Sequence, residues 1–196
     1  MARLKSLVIY LQIALLTLIA ATVQADSHEG IDPELLNTLR SAVQESTSFG
    51  DAYVAQVWLV DMSKRIEKLM PDPIERVTFL KILHHEATLA NLQPELVLAV
   101  IHIESRFDRY AISRAGARGL MQIMPFWKNE LGRTEDNLFN TAINLRYGTT
   151  ILAHYLKREK GDLQKALARY NGSTGKTWYP EKVLTAWERF YYVDHS

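Results

Sequence analysis

The chain has 196 residues, with 23 Lys and Arg against 22 Asp and Glu, and no cysteine. The near-zero balance gives no charge-based argument for nucleic-acid binding and little for long-range steering of a charged partner. Without cysteine there is no disulfide, no thiolate chemistry and no cysteine-linked lipid.

Residues 1–25 read as a secretory signal. Arg3 and Lys5 give a positive start, Leu7 to Ala21 is mostly apolar, and Val23-Gln24-Ala25 offers a small-residue cleavage site. The alternative is an uncleaved membrane anchor, although the apolar run is short beside the about 20 residues a span requires. Cleavage leaves 171 residues, with 21 basic against 22 acidic, enough for one domain with a sizeable core. Residues 26–50 are polar, with a short helical segment started by Asp32-Pro33 and carrying Leu35, Leu36, Leu39 and Val43.

Residues 51–92 read as a helical part that packs on a domain formed by residues 93–193. Its first helix spans about Asp51–Met70, with Val54, Val57, Trp58, Met62, Ile66 and Leu69 at helical spacing. Pro71-Asp72-Pro73 breaks it and starts the next helix, which carries Val77, Phe79, Leu80, Ile82 and Leu83. His84-His85-Glu86 lacks a second histidine at the spacing a helical zinc site uses, so no metal site is expected there. His102 and His154 are isolated and read as surface or core positions.

A third helix starts at Gln93-Pro94-Glu95, where Pro94 suits the first turn and Glu95 complements the positive helix end. Glu104 lies four residues after Val100, three after Ile101 and seven after Val97, on their apolar face. A carboxyl there is costly unless paired, hydrogen-bonded or protonated. Desolvation raises its pKa, which is what a general acid requires. The ordinary alternative is an ion pair with Arg106 or Arg109. Phe107–Arg118 is too irregular for a helix, and Gly116 and Gly119 permit tight turns. Pro125 starts a short helix with Phe126 and Trp127. A long helix spans Asn140–Lys157, where Gly148 weakens the element and hints at close packing. Gly161 closes it, Asp162 caps the segment ending in Ala168-Arg169-Tyr170-Asn171-Gly172, and a terminal helix runs from Tyr179-Pro180 through Phe190.

The ordered set Glu104-Ser105, Ser113, Ala115–Pro125 (AGARGLMQIMP), Tyr170-Asn171 and Tyr179 resembles the soluble lytic transglycosylases, over about Leu92–Phe190. The resemblance implies a mainly α, lysozyme-like (α+β) fold: helices around a glycan-binding cleft with a small β element. It implies cleavage of the MurNAc–GlcNAc β-1,4 bond of peptidoglycan with no cofactor, by a periplasmic protein whose partners are glycan strands and not nucleic acid, with no stable membrane insertion after signal cleavage. Glu104 would be the catalytic acid, Ser113 would hydrogen-bond and orient it, and Met121 and Gln122 would line the sugar site. Tyr170 and Asn171 would hold the sugar, with Tyr179 near the glutamate. Apart from the resemblance, Ser113 reads as a turn serine, Leu120–Ile123 as core, and Tyr170-Asn171 as a core tyrosine with a capping asparagine. The family's third motif usually reads Ala-Tyr-Asn, whereas here Arg169 precedes Tyr170. Ordinary glycosidases use two carboxylates, and the motif segments supply one. The product would be a 1,6-anhydro sugar. Two alternatives stand: a hydrolytic muramidase using Asp108 or Asp136 to position water, and a wall-binding module without chemistry.

Overall fold

The computed structural model describes residues 51–130 and 133–193. The expected signal over residues 1–25 and the polar segment 26–50 lie outside them. The described residues form seven α-helices in order: α1 (Ala52–Ile66), α2 (Pro73–Leu89), α3 (Pro94–Glu104), α4 (Phe126–Glu130), α5 (Thr141–Arg158), α6 (Leu163–Asn171) and α7 (Trp178–Ala186). A π-helical turn, Trp187–Tyr191, continues α7.

Local chemistry sets the helix boundaries. Asp51 and Asp72 each accept from two backbone N–H groups at the starts of α1 and α2. Asn140 and Asp162 do the same work for α5 and α6 with one N–H each. Gly172, at φ +77°, ends α6 in the left-handed conformation that glycine adopts most readily.

Helix α3 is the centre of the fold. Every residue from Glu95 to Ile101 is buried. A helix covered on all sides belongs in a core. It packs against α2, α7 and the π-helical turn, while α2 and α5 pack together on another side. One continuous core includes Trp58, Leu59 and Met62 of α1 with Leu98 and Ile101 of α3, Leu145 and Leu152 of α5, and Val183 of α7. Truncating Leu98 to alanine would cost about 2–5 kcal/mol, the usual range for a filled core site.

The buried face of α1 runs through Ala55, Trp58, Leu59, Met62 and Ile66. Val54 and Val57, expected on that stripe, are exposed. They lie on the flank of the helix, where no described element covers them. Gly148 of α5 meets the packing expectation: a Cβ there would overlap the sulfur of Met121 and come within 2.7 Å of its Cβ. The β element consists of two isolated antiparallel bridges, Ile112 with Arg118 and Arg118 with Ile123. Among the described residues no helix is long and apolar enough to cross a membrane.

Candidate active site

Glu104 is the last residue of α3, and Ser105 caps that helix end. The chain then leaves the helix through Arg106 and Phe107, both at positive φ (52° and 67°). Phe107 is buried edge-on to Phe79, with ring centroids 5.8 Å apart. This packing holds the reversal that non-glycine residues adopt only at a cost.

A cleft of about 250 Å³ opens over Glu104. Its lining includes Ser113, Ala115 and Ala117 from the β element, Gln122, Ile123 and Met124 from the segment after it, Trp127 of α4, Ile151 of α5, and Tyr170 and Asn171 of α6. Among the described residues of that lining Glu104 is the one that carries a carboxyl. Tyr179 lies behind it and donates its hydroxyl to Glu104 Oε1 at 2.6 Å. Burial pushes the Glu104 carboxyl above the usual carboxylate range, while the hydroxyl of Tyr179 and the amide of Asn171 pull the other way. Burial and the neighbouring Glu104 charge hold Tyr170 and Tyr179 well above the ordinary phenol range, so both remain neutral donors.

The wall opposite α3 is held by hydrogen bonds to backbone groups. Asn144 of α5, 1% exposed, accepts from Met121 N–H at 2.8 Å and donates to the carbonyls of Arg118 (2.9 Å) and Leu138 (2.7 Å). Tyr170 donates to the Met121 carbonyl at 2.7 Å. Gln122, at φ 51°, donates its amide to the carbonyls of Gly119 (2.9 Å) and Ala111 (3.2 Å). A side chain on Gly119 would run into the Asn144 amide, so this close approach requires glycine.

Two expectations are corrected. Met121 does not line the cleft: its side chain is wholly buried against Gly148, and its peptide group is the part fixed beside the site. Residues 121 and 124 fall on different sides of the chain after the bridge, and Met124 faces the cleft. Ser113 lines the cleft, but its hydroxyl accepts from Ala117 N–H at 3.1 Å in its own turn and makes no bond to Glu104. Trp127, Ile151 and Asn144 carried no local signal, since each is brought in by tertiary packing.

Neither Asp108 nor Asp136 lines the cleft. Asp108 accepts from Tyr110 N–H. Asp136 accepts from the Tyr147 hydroxyl (2.8 Å) and Arg133 Nε (2.9 Å), and these partners lower its pKa. Arg169 turns away from the cleft and pairs with Glu159, which leaves Tyr170 and Asn171 in place despite the altered motif. Arg106 and Arg109 make no ion pair with Glu104 among the described residues; Arg109 lies 3.9 Å from Glu75 instead. His84 packs edge-on to Trp58, and burial, then His85, lowers it to about 4.

The transglycosylase SLT domain model matches residues 82–185, just over half of the chain. The chain belongs to the SLT family. The match begins inside α2, about ten residues before the motif resemblance. Among curated relatives, a transglycosylase of Enterobacteria phage PRD1 is 38% identical over 101 residues, covering 48% of this chain and 37% of its own. A membrane-bound lytic murein transglycosylase C of Yersinia enterocolitica is 27% identical over 137 residues, covering 61% of this chain and 37% of its own. This SLT chain therefore spans little more than a third of these relatives. A solved structure of lytic transglycosylase Slt from Pseudomonas aeruginosa is 22% identical over 76% of this chain and 31% of its own, with a TM-score of 0.46. The family assignment rests on the SLT match and not on that likeness.

Proposed function

We propose that this SLT protein is a peptidoglycan lytic transglycosylase, exported through residues 1–25 to the periplasm. It would cut the MurNAc–GlcNAc β-1,4 bond without water and leave 1,6-anhydroMurNAc ends. The observation that carries this reading is Glu104, the single carboxyl among the described residues of the cleft, desolvated toward its neutral form and met by a tyrosine hydroxyl.

Glu104 gives its proton to the bridging oxygen as the C1–O4 bond breaks. The substrate's own N-acetyl group stabilises the anomeric carbon in place of a second carboxylate, a recognised exception to the two-carboxylate rule. The ionised Glu104 then takes the proton of the C6 hydroxyl as that oxygen bonds to C1. The proton count on Glu104 is restored and no water enters. Tyr179 stabilises the transient carboxylate by donating to it. Tyr170, Asn171, Gln122 and Ser113 offer polar groups to the sugar substituents, and Trp127 and Ile151 offer apolar surface.

A muramidase would need a base for water, and both candidates are engaged elsewhere: Asp136 with Tyr147 and Arg133, and Asp108 in its turn. Digestion of sacculi in heavy-oxygen water separates the readings. The expected muropeptides end in 1,6-anhydroMurNAc, carry no label and resist borohydride reduction. Stoichiometric label at the new MurNAc end would establish hydrolysis, and no products at all would favour a wall-binding module.

A further inference from the structure

The β element has a second face that the reaction does not use. Ser113 and Ala117 line the cleft, whereas the neighbouring bridged pair, Ile112 and Arg118, is exposed and lies outside that lining. On that side the Arg109 guanidinium lies 4.9 Å from the Tyr110 ring centroid. The Tyr110 ring is 6.1 Å from that of Phe139, and Arg118 lies 6.0 Å from Phe139. Tyr110 is 63% exposed and Ile112 66% exposed. Arg114 is exposed at the turn that joins the two sides.

The charge there is one-sided. Residues 106–118 hold four arginines and one acid, Asp108, in a chain whose overall charge is +1. Asp108 is occupied by the Tyr110 N–H. Among the described residues, the one carboxylate within 4.0 Å of any of these guanidiniums is Glu75, at 3.9 Å from Arg109. Arg109 Nε is buried and has no acceptor among the described residues. Guanidinium forks match carboxylates, and aromatic faces match aliphatic or sugar surface.

We propose that this outer face, formed by Arg109, Tyr110, Ile112, Arg114, Arg118 and Phe139, docks the acidic peptide stem of the peptidoglycan strand whose glycan occupies the cleft. This rests on the transglycosylase reading above. The two faces belong to one hairpin, so a strand held by the inner face brings its stem to the rim of the outer one. Exposed ion pairs are weak alone. Tethered to a bound glycan they act at high effective concentration and add to its affinity. The patch therefore sets preference for stem-bearing over stripped strands.

The experiment compares intact sacculi with sacculi stripped of stems by an amidase. The variants are Arg114→Gln and the double variant Arg114→Gln/Arg118→Gln. On intact material the double variant is expected to raise KM about fivefold at low salt, with kcat unchanged, and the effect should fade as salt rises. On stripped strands both variants should match the parent. Unchanged KM on intact sacculi overturns the proposal. An equal loss on both substrates also overturns it, because it marks a structural role in the lobe. Sedimentation of the Glu104→Gln chain with the two kinds of sacculi reads the patch without catalysis, so failure of the chemistry and failure of the patch remain distinct. Equal sedimentation with both overturns the proposal, as does arginine-dependent capture by anionic vesicles with no stem preference.

Discussion

Helix α3 carries a glutamate in its first turn and another as its last residue, and the two ends do opposite things. Glu95 sits where unpaired backbone N–H groups and the helix dipole favour a negative charge. It is 3% exposed and accepts the Trp58 indole N–H at 2.6 Å. Glu104 sits at the negative end of the same dipole, over an open cleft, and desolvation drives it toward the neutral acid. Glu86, also 3% exposed, repeats the first pattern by accepting Arg146 at 2.7 Å and 3.2 Å. A buried carboxyl with a dedicated cation or N–H donor is part of the scaffold. The one met mainly by neutral hydroxyl and amide groups in a cavity is available to exchange a proton.

The comparison can be broken at either end. The largest effect is expected from Glu104→Gln, which keeps size and polarity but cannot cycle a proton: digestion of sacculi should fall by at least about 10²-fold. Folding raises this carboxyl's pKa, so the folded state holds the proton more tightly than the unfolded chain. Stability should then decline as pH rises from the ordinary carboxylate pKa through the raised one. Glu104→Gln removes that decline, so thermal melts above the ordinary pKa should show equal or higher stability. Parent-level digestion by the folded variant would show that Glu104 is not the acid.

At the other end of the helix, Glu95→Ala should spare activity per folded molecule and lower stability by about 1–3 kcal/mol, because a buried indole donor loses its acceptor. Denaturant melts measure this. A variant that melts like the parent but has lost turnover would erase the distinction between the two ends. The smallest effect is expected from Tyr179→Phe. The lost hydroxyl had lowered the Glu104 pKa, so the alkaline limb of the pH–rate profile should move to higher pH. A limb that stays in place or moves down would mean that Tyr179 does not tune the acid.

Much of this site was legible in the chain. The 3.6-residue period put Glu104 on an apolar face, and Gly148 announced a close neighbour that proved to be Met121. Asp162 was read as a helix cap, and the starts expected at Asp51, Pro73 and Asn140 lie within a residue of the observed ones. Ser113 and Met121 were placed less well, because motif membership says that a residue matters without saying which atom does. Ser113 uses its hydroxyl within its own turn, and Met121 contributes a peptide group. Asn144 went unread because an asparagine inside a helix looks like a weak helix former until the backbone it satisfies is in view.

The sequence by itself determined the helical elements, their ends, the apolar setting of one glutamate and the order of the motif segments, since all of these follow from interactions within a few residues. Only the tertiary structure decided that Glu104 is the sole carboxyl among the described residues of its cleft, that Asp136 and Asp108 are engaged outside it, and that Arg169 turns away to Glu159. Only the tertiary structure also set Asn144 and Tyr170 on the two sides of the Met121 peptide. The two contacts on the Met121 peptide join residues 23 and 49 positions apart, and the burial that shifts a pKa depends on the walls that such distant residues build together.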